Sequence, residues 1–198
     1  IAGPNHPLRT ETLQDVRHVR REPVDGPFRF RAHRRDNGQL DGNIGEIGEG
    51  TTCLREVLAE IRIMTAALSV GVATAAFEDA VEYAKTRVQF GRPIGKFQAI
   101  RLKCSDMAVQ LETARHYLFY AASLIDRDLP RQKESMIAKL YASECANSIC
   151  DVASRIFASY GYATEYPLQR YLRDARFLLI GGGTSEILSI NIGKEMGL

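Results

Sequence analysis

Cysteine is scarce in this chain, and lysine is missing altogether from its first 42 residues. The four cysteines, Cys53, Cys104, Cys145 and Cys150, are scattered, and no pair has metal-ligand or redox spacing. That excludes a thiolate metal centre and a disulfide framework, and leaves buried free thiols in a reducing compartment as the expectation. No apolar run is read as approaching the roughly 20 residues of a membrane helix, and no signal-peptide pattern opens the chain. A membrane span is therefore not expected. Charge of one sign is also lacking: a formal net charge of +2 gives no whole-chain reason for nucleic-acid or membrane-surface binding. The chain begins with Ile1 rather than Met, so a fragment or a processed chain is the expectation.

What is there is ordinary for a globular protein. Hydrophobic residues make up 45% and charged residues 25% of 198, enough for a full core. Residues 1–44 stand apart as an arginine-rich arm or the remnant of a preceding domain. Arg9, Arg17, Arg20, Arg21, Arg29, Arg31, Arg34 and Arg35 crowd it, diluted by Glu11, Asp15, Glu22, Asp25, Asp36 and Asp41. Phe28 and Phe30 alternate with Arg29 and Arg31, a weak strand signal. With so little to bury, a solvated, partly ordered arm is the expectation. The glycine-rich stretch Gly42 to Gly50 reads as a boundary. It follows no convincing strand and has no nucleotide-loop lysine, so it is a weak phosphate site.

Residues 45–198 read as an all-α, up-and-down bundle. The pattern is helical from Thr51 to Arg87, with Thr51 or Thr52 as the cap and a break near Ala59. Val57, Ile61, Met64, Leu68 and Val72 recur at three- and four-residue steps. Small residues from Ala66 to Ala76 allow another backbone, or a flat ligand, to come close. A second helix carries an apolar seam through Phe97, Ile100, Cys104, Met107, Leu111, Ala114, Leu118, Ala121 and Ile125. A third, Arg131 to Ser159, places Ile137, Tyr141, Cys145, Ile149, Val152 and Ile156 on one face. The short helix that follows holds Asp174, expected to pair with Arg173 or Arg176. Ile180 to Gly183 then breaks the chain, and Thr184 opens a last helix whose N-terminus is a possible anion contact.

The stretch Tyr83 to Gln98 joins the first two long helices. Gly91, Pro93 and Gly95 break both patterns there, so the helices are expected to fold back on each other. Arg87, Phe90 and Gln98 then sit at the bend. An arginine, an exposed aromatic and an amide at such a corner suit a phosphate-bearing ligand. The alternative is a plain connection with a solvated Arg87 and a core Phe90.

Several blocks in order resemble the C-terminal helical domain of the acyl-CoA dehydrogenases. They are GEIGEG (45–50), YAKTRVQFGRPIGKFQAI (83–100), SDMA (105–108), AKLYASE (138–144), YGYATEYPLQRYLRDAR (160–176) and GGTSEI (182–187). The resemblance implies a flavoprotein that binds FAD, oxidises acyl-CoA thioesters between Cα and Cβ, and passes electrons to an electron-transferring flavoprotein. It also implies a homo- or hetero-oligomer, dimeric or tetrameric, in the cytoplasm or the mitochondrial matrix. By the same resemblance Arg87, Phe90 and Gln98, and Thr184, Ser185 and Glu186, contact the flavin. Gly183 and Arg62 match substrate contacts; Arg155 departs from the family, standing where it has a glutamine, and is expected still to pair with a pyrophosphate.

The departures from the family concern the base. Its usual position is filled by Gly182. Its other position, on the first helix, is filled by Ile61, with Glu60 one residue early as the remaining candidate in this chain. A one-residue shift turns a helical side chain by roughly 100°. Ala158 and Ser159 stand where the family has a pair of glycines. These losses leave two alternatives: a non-catalytic helical oligomerisation module, or a reductase or lyase variant of the family.

Overall fold

The computed structural model describes residues 50–198. The arginine-rich arm, its strand signal and most of the glycine-rich stretch lie outside the described residues. Five α-helices account for most of the rest: α1 (Gly50–Thr86), α2 (Gln98–Asp126), α3 (Gln132–Phe157), α4 (Leu168–Leu178) and α5 (Ser185–Glu195).

Cross-helix contacts fix the topology. Near its start α1 meets the start of α3, where Glu60 lies 3.9 Å from Arg131. At its far end Tyr83 stacks on Phe157 at the end of α3, with ring centroids 4.0 Å apart. So α1 and α3 run parallel. Between them α2 returns antiparallel, joined to α1 at mid-length by Arg115 donating to Thr74 Oγ1 at 3.2 Å. α4 descends beside α3 and is tied to α1 by Tyr171 OH donating to Asp79 at 3.1 Å. This is the expected up-and-down bundle.

The core explains which faces turn inward. α2 buries Met107, Leu111, Ala114, Leu118 and Ala121, as its spacing requires, with Leu124 rather than Ile125 as the last layer. α3 buries Ala138, Ala142, Cys145, Ala146, Ile149, Ala153 and Ile156, while Tyr141 is exposed. α1 turns the other way from expectation. Its buried face is Ala59, Ile63, Ala66, Val70, Ala73, Ala76, Ala80 and Ala84, whereas Val57, Ile61, Met64 and Leu68 are exposed. A stripe of alanines lets neighbouring helices approach closely, and that packing outweighs the size of the residues on the opposite side.

Other expectations are corrected. α1 runs unbroken through Ala59, and Thr51 and Thr52 lie within it rather than capping it. Contrary to the reading that no apolar run nears membrane length, α1 is long and apolar enough to cross a membrane by length and composition. Its alanines and valines raise the hydropathy, and 44% of the apolar stretch is buried inside the bundle. Of the cysteines, Cys145 and Cys150 are buried but Cys53 and Cys104 only half so. Arg173 donates to Gln169 at 2.6 Å, one turn back on its own helix, and no ion pair joins it or Arg176 to Asp174.

Candidate functional site

Two corners of the bundle hold the polar side chains singled out above. At the first, between α1 and α2, the chain forms a small hairpin of β1 (Val88–Gln89) and β2 (Arg92–Pro93), with Gln89 opposite Arg92. The two loop residues, Phe90 at φ 51° and Gly91 at φ 76°, both take positive φ, as tight hairpin turns of this hand require. Glycine accepts that conformation freely. Phe90 does not, and its ring is 92% exposed, edge-on to that of Phe97 with centroids 6.2 Å apart. The hairpin is a feature the sequence reading lacked; a two-residue loop ending in glycine was its signal.

Around this hairpin the other candidates gather. Arg87 follows α1, half-buried, with its guanidinium 5.6 Å from the centre of the Tyr160 ring. Gln98 is the exposed first residue of α2, and no hydrogen bond joins it to Arg87. Arg155, in the last turn of α3, is exposed and held by Asp151 at 2.8 Å. The cap after it, Ala158, takes φ 55° and ψ −128°, a conformation natural to glycine. Gly161 then passes so close to α3 that a Cβ there would lie 2.3 Å from the Ser154 carbonyl oxygen.

The second corner is the turn between α4 and α5. Gly182 (φ 74°) and Gly183 (φ 115°) bend the chain into Thr184, the N-cap of α5, whose hydroxyl accepts from Ile187 N–H at 3.4 Å. Three side chains from the long helices hold this turn. Lys139 of α3 is fully buried and donates to the carbonyls of Leu179 at 3.1 Å and Gly183 at 2.6 Å. Arg62 of α1, 8% exposed, donates from Nε to the Gly182 carbonyl at 3.4 Å. Ser185 donates to Glu144 at 2.5 Å.

Burial pulls both cations below their ordinary pKa values. For Lys139 the charge of Arg62 adds to the effect and that of Glu144 opposes it. Glu186, exposed in the first turn of α5, is held below the usual carboxylate range by its hydrogen bonds, first to backbone and then to Thr184. Lys139 and Glu144 are functional candidates that the sequence reading missed. Lys139 lies in register with Ala142 and Ala146 on the apolar face of α3, where an unpaired lysine is costly.

The candidate base positions meet this same corner. Ile61 and Arg62 face the turn. A Cβ added at Gly182 would lie 3.4 Å from Thr65 Oγ1 and 3.9 Å from Ile61 Cγ2 and Arg62 Cγ, in ordinary contact. Glu60 is turned toward Arg131 instead. Along α1 the two corners are separated by roughly 25 residues, about 37 Å.

The described residues thus form a helical bundle with a glycine turn seated on two buried cations and an arginine–aromatic hairpin at its far end. Residues 48–197 match the acyl-CoA dehydrogenase C-terminal domain, and the chain belongs to that family. It is 58% identical over 151 residues to a benzylmalonyl-CoA dehydrogenase of Aromatoleum aromaticum, covering 76% of this chain and 40% of that protein. Among solved structures it resembles butyryl-CoA dehydrogenase from Megasphaera elsdenii, at 41% identity and a TM-score of 0.76, over 78% of this chain and 40% of that one. It also resembles PigA, solved with FAD and proline, at 30% identity and a TM-score of 0.75, over 78% and 40%. The chain thus spans about two fifths of the length of these relatives.

Proposed function

We propose that this chain is the C-terminal helical part of an FAD-dependent oxidoreductase acting on the Cα–Cβ bond of acyl-CoA thioesters. One observation carries the reading: the Gly182–Thr184 turn is clamped between α1 and α3 by Arg62 and Lys139, at the foot of α5. The first amides of a helix lack intrahelical partners and attract negative charge. The clamp holds that end of α5 in place ahead of any ligand.

The residues fit FAD. A dinucleotide brings a flat ring and a pyrophosphate, and the hairpin offers an exposed aromatic, Phe90, held in a strained conformation beside the cation Arg87. Arg87, Phe90, Gln98 and Arg155 would hold the cofactor at one corner, and Thr184, Ser185 and Glu186 at the other. Gly183 and Arg62 would orient the thioester. When bound, FAD supplies the hydride acceptor. Because the corners lie about 37 Å apart along α1, one dinucleotide does not bridge them, and each flavin site draws on two copies of the chain. Proton removal would fall to Glu60, exposed and 3.9 Å from Arg131, or to a group outside this chain, because position 182 has no side chain and Ile61 has no titratable one. An electron-transferring flavoprotein would take the electrons, in the bacterial cytoplasm or the mitochondrial matrix.

The visible spectrum of the native full-length protein tests this. Bound flavin that loses its colour on addition of an acyl-CoA is the expected result. Protein that stays colourless after incubation with FAD and the rest of its chain overturns it. Gly182 favours two other readings, a non-catalytic assembly module and a reductase or lyase variant. Flavin that binds but is not bleached by any saturated acyl-CoA would select them.

A further inference from the structure

The turn after α3 places one aromatic ring. Ala158 ends the helix at φ 55° and ψ −128°, a strained conformation for a residue with a Cβ. It opens a tight 3₁₀ turn, Ala158–Gly161, whose last residue is buried against the Ser154 carbonyl. Tyr160 stands inside this turn. Its ring, tilted on Tyr166 at 5.3 Å, belongs to a row that continues edge-on to Phe157 at 5.6 Å and stacked to Tyr83 at 4.0 Å. Phe157 is 4% exposed, so the row is anchored in the core. Tyr83 lies in the last turn of α1, and its carbonyl accepts from the Arg87 backbone N–H at 2.8 Å. The Arg87 guanidinium, 5.6 Å from the centre of the Tyr160 ring, closes the circuit.

What holds Arg87 matters as much as where it is held. Among the described residues the ion pairs are formed by Lys85, Arg115, Arg131, Lys133 and Arg155, and Arg87 enters none. A carboxylate partner would neutralise the guanidinium and occupy its N–H donors. An aromatic face attracts the cation through its quadrupole and leaves those donors to another ligand. Arg155, the other arginine singled out for a pyrophosphate, is in the opposite condition, with its Nη2 2.8 Å from Asp151.

We propose that Tyr160 is a positioning residue for the cofactor pyrophosphate, fixing the Arg87 guanidinium in place while keeping its N–H donors free. The inference rests on the FAD reading above and deepens it. A long side chain ordered before binding loses less rotamer freedom when the anion arrives.

The test is FAD titrated, by flavin fluorescence, into the flavin-depleted full-length protein. Tyr160→Leu should weaken FAD by roughly threefold to tenfold, the size of one cation–π contact. Tyr160→Phe, which keeps the ring face, should retain most of the affinity. In an Arg87→Gln background Tyr160→Leu should add no further loss, because its effect runs through Arg87. A ring that only packed the turn would weaken FAD equally in both backgrounds. Should Tyr160→Leu fail to fold, fluorinated phenylalanines at position 160 keep the shape, drain the negative ring face and should weaken FAD stepwise. Unchanged affinity in Tyr160→Leu, equal loss in both backgrounds, or no response to fluorination overturns the inference and leaves the FAD reading standing. Unaltered protein that takes up no FAD overturns both.

Discussion

Ala158 closes α3 with φ 55° and ψ −128°, where a Cβ is strained and glycine is not. Ala158→Gly should therefore stabilise the bundle by roughly 1 kcal/mol, the relieved strain exceeding the added chain entropy of glycine. A thermal melt would show a rise of about 2–4 °C. Lys139 makes a second prediction at this scale, in pH. Its folded pKa is lowered, mainly by burial, so between that value and the ordinary lysine pKa the unfolded chain holds the proton and the folded one does not. Stability then rises with pH across this window and falls as pH drops through the folded value. Lys139→Met should remove that rise, as denaturant midpoints measured through the alkaline range would show. It also strands the carbonyls of Leu179 and Gly183, at about 1–3 kcal/mol each, partly offset by the charge no longer buried. A net loss of about 2 kcal/mol at neutral pH is expected.

Among the elements, what could be read in advance followed the strength of each pattern. The α2 seam is formed of large residues at heptad spacing, and Met107, Leu111 and Leu118 lie inside as read. For α1 the same reasoning chose the wrong side, because periodicity weighs side-chain size. The helix instead buries alanines, which gain by close approach, and leaves Met64 65% exposed. The Thr184 cap was legible from a hydroxyl following glycines. Lys139 was not, since nothing local shows that a lysine on an apolar face will reach two carbonyls some forty residues away. Nor was the hairpin, whose turn places phenylalanine where asparagine is usual. That choice sets stability against function. Phe90→Asn should tolerate φ 51° better and raise the stability of the bundle by about 0.5–1 kcal/mol. The same change should weaken FAD retention, because the exposed ring is the proposed flavin contact. A variant that melts higher yet keeps its flavin under dilution would show that the strain serves no ligand.

For the molecule as a whole, the separation of its two polar corners decides what one copy can do. Arg62 and the Gly182–Thr184 turn lie about 37 Å along α1 from Arg87 and Phe90. The long helices between them run unbroken, with Tyr83 stacked on Phe157 at one end and Glu60 facing Arg131 at the other. If each flavin site takes its thioester-facing turn from one copy and its hairpin from another, then defects at the two corners must complement. Full-length protein carrying Arg62→Gln and full-length protein carrying Arg87→Gln should each be impaired alone. Co-expressed, they form mixed oligomers in which some sites receive an intact turn from one copy and an intact hairpin from the other. Acyl-CoA-dependent bleaching should then reappear, though it fails in either parent. A chain carrying both substitutions, mixed with unaltered chain, should instead leave its own copies' corners defective in every hybrid site. Recovery confined to the single-variant mixture would establish that the two corners act in trans, whereas no recovery in isolated mixed oligomers would mean that each copy builds its site alone.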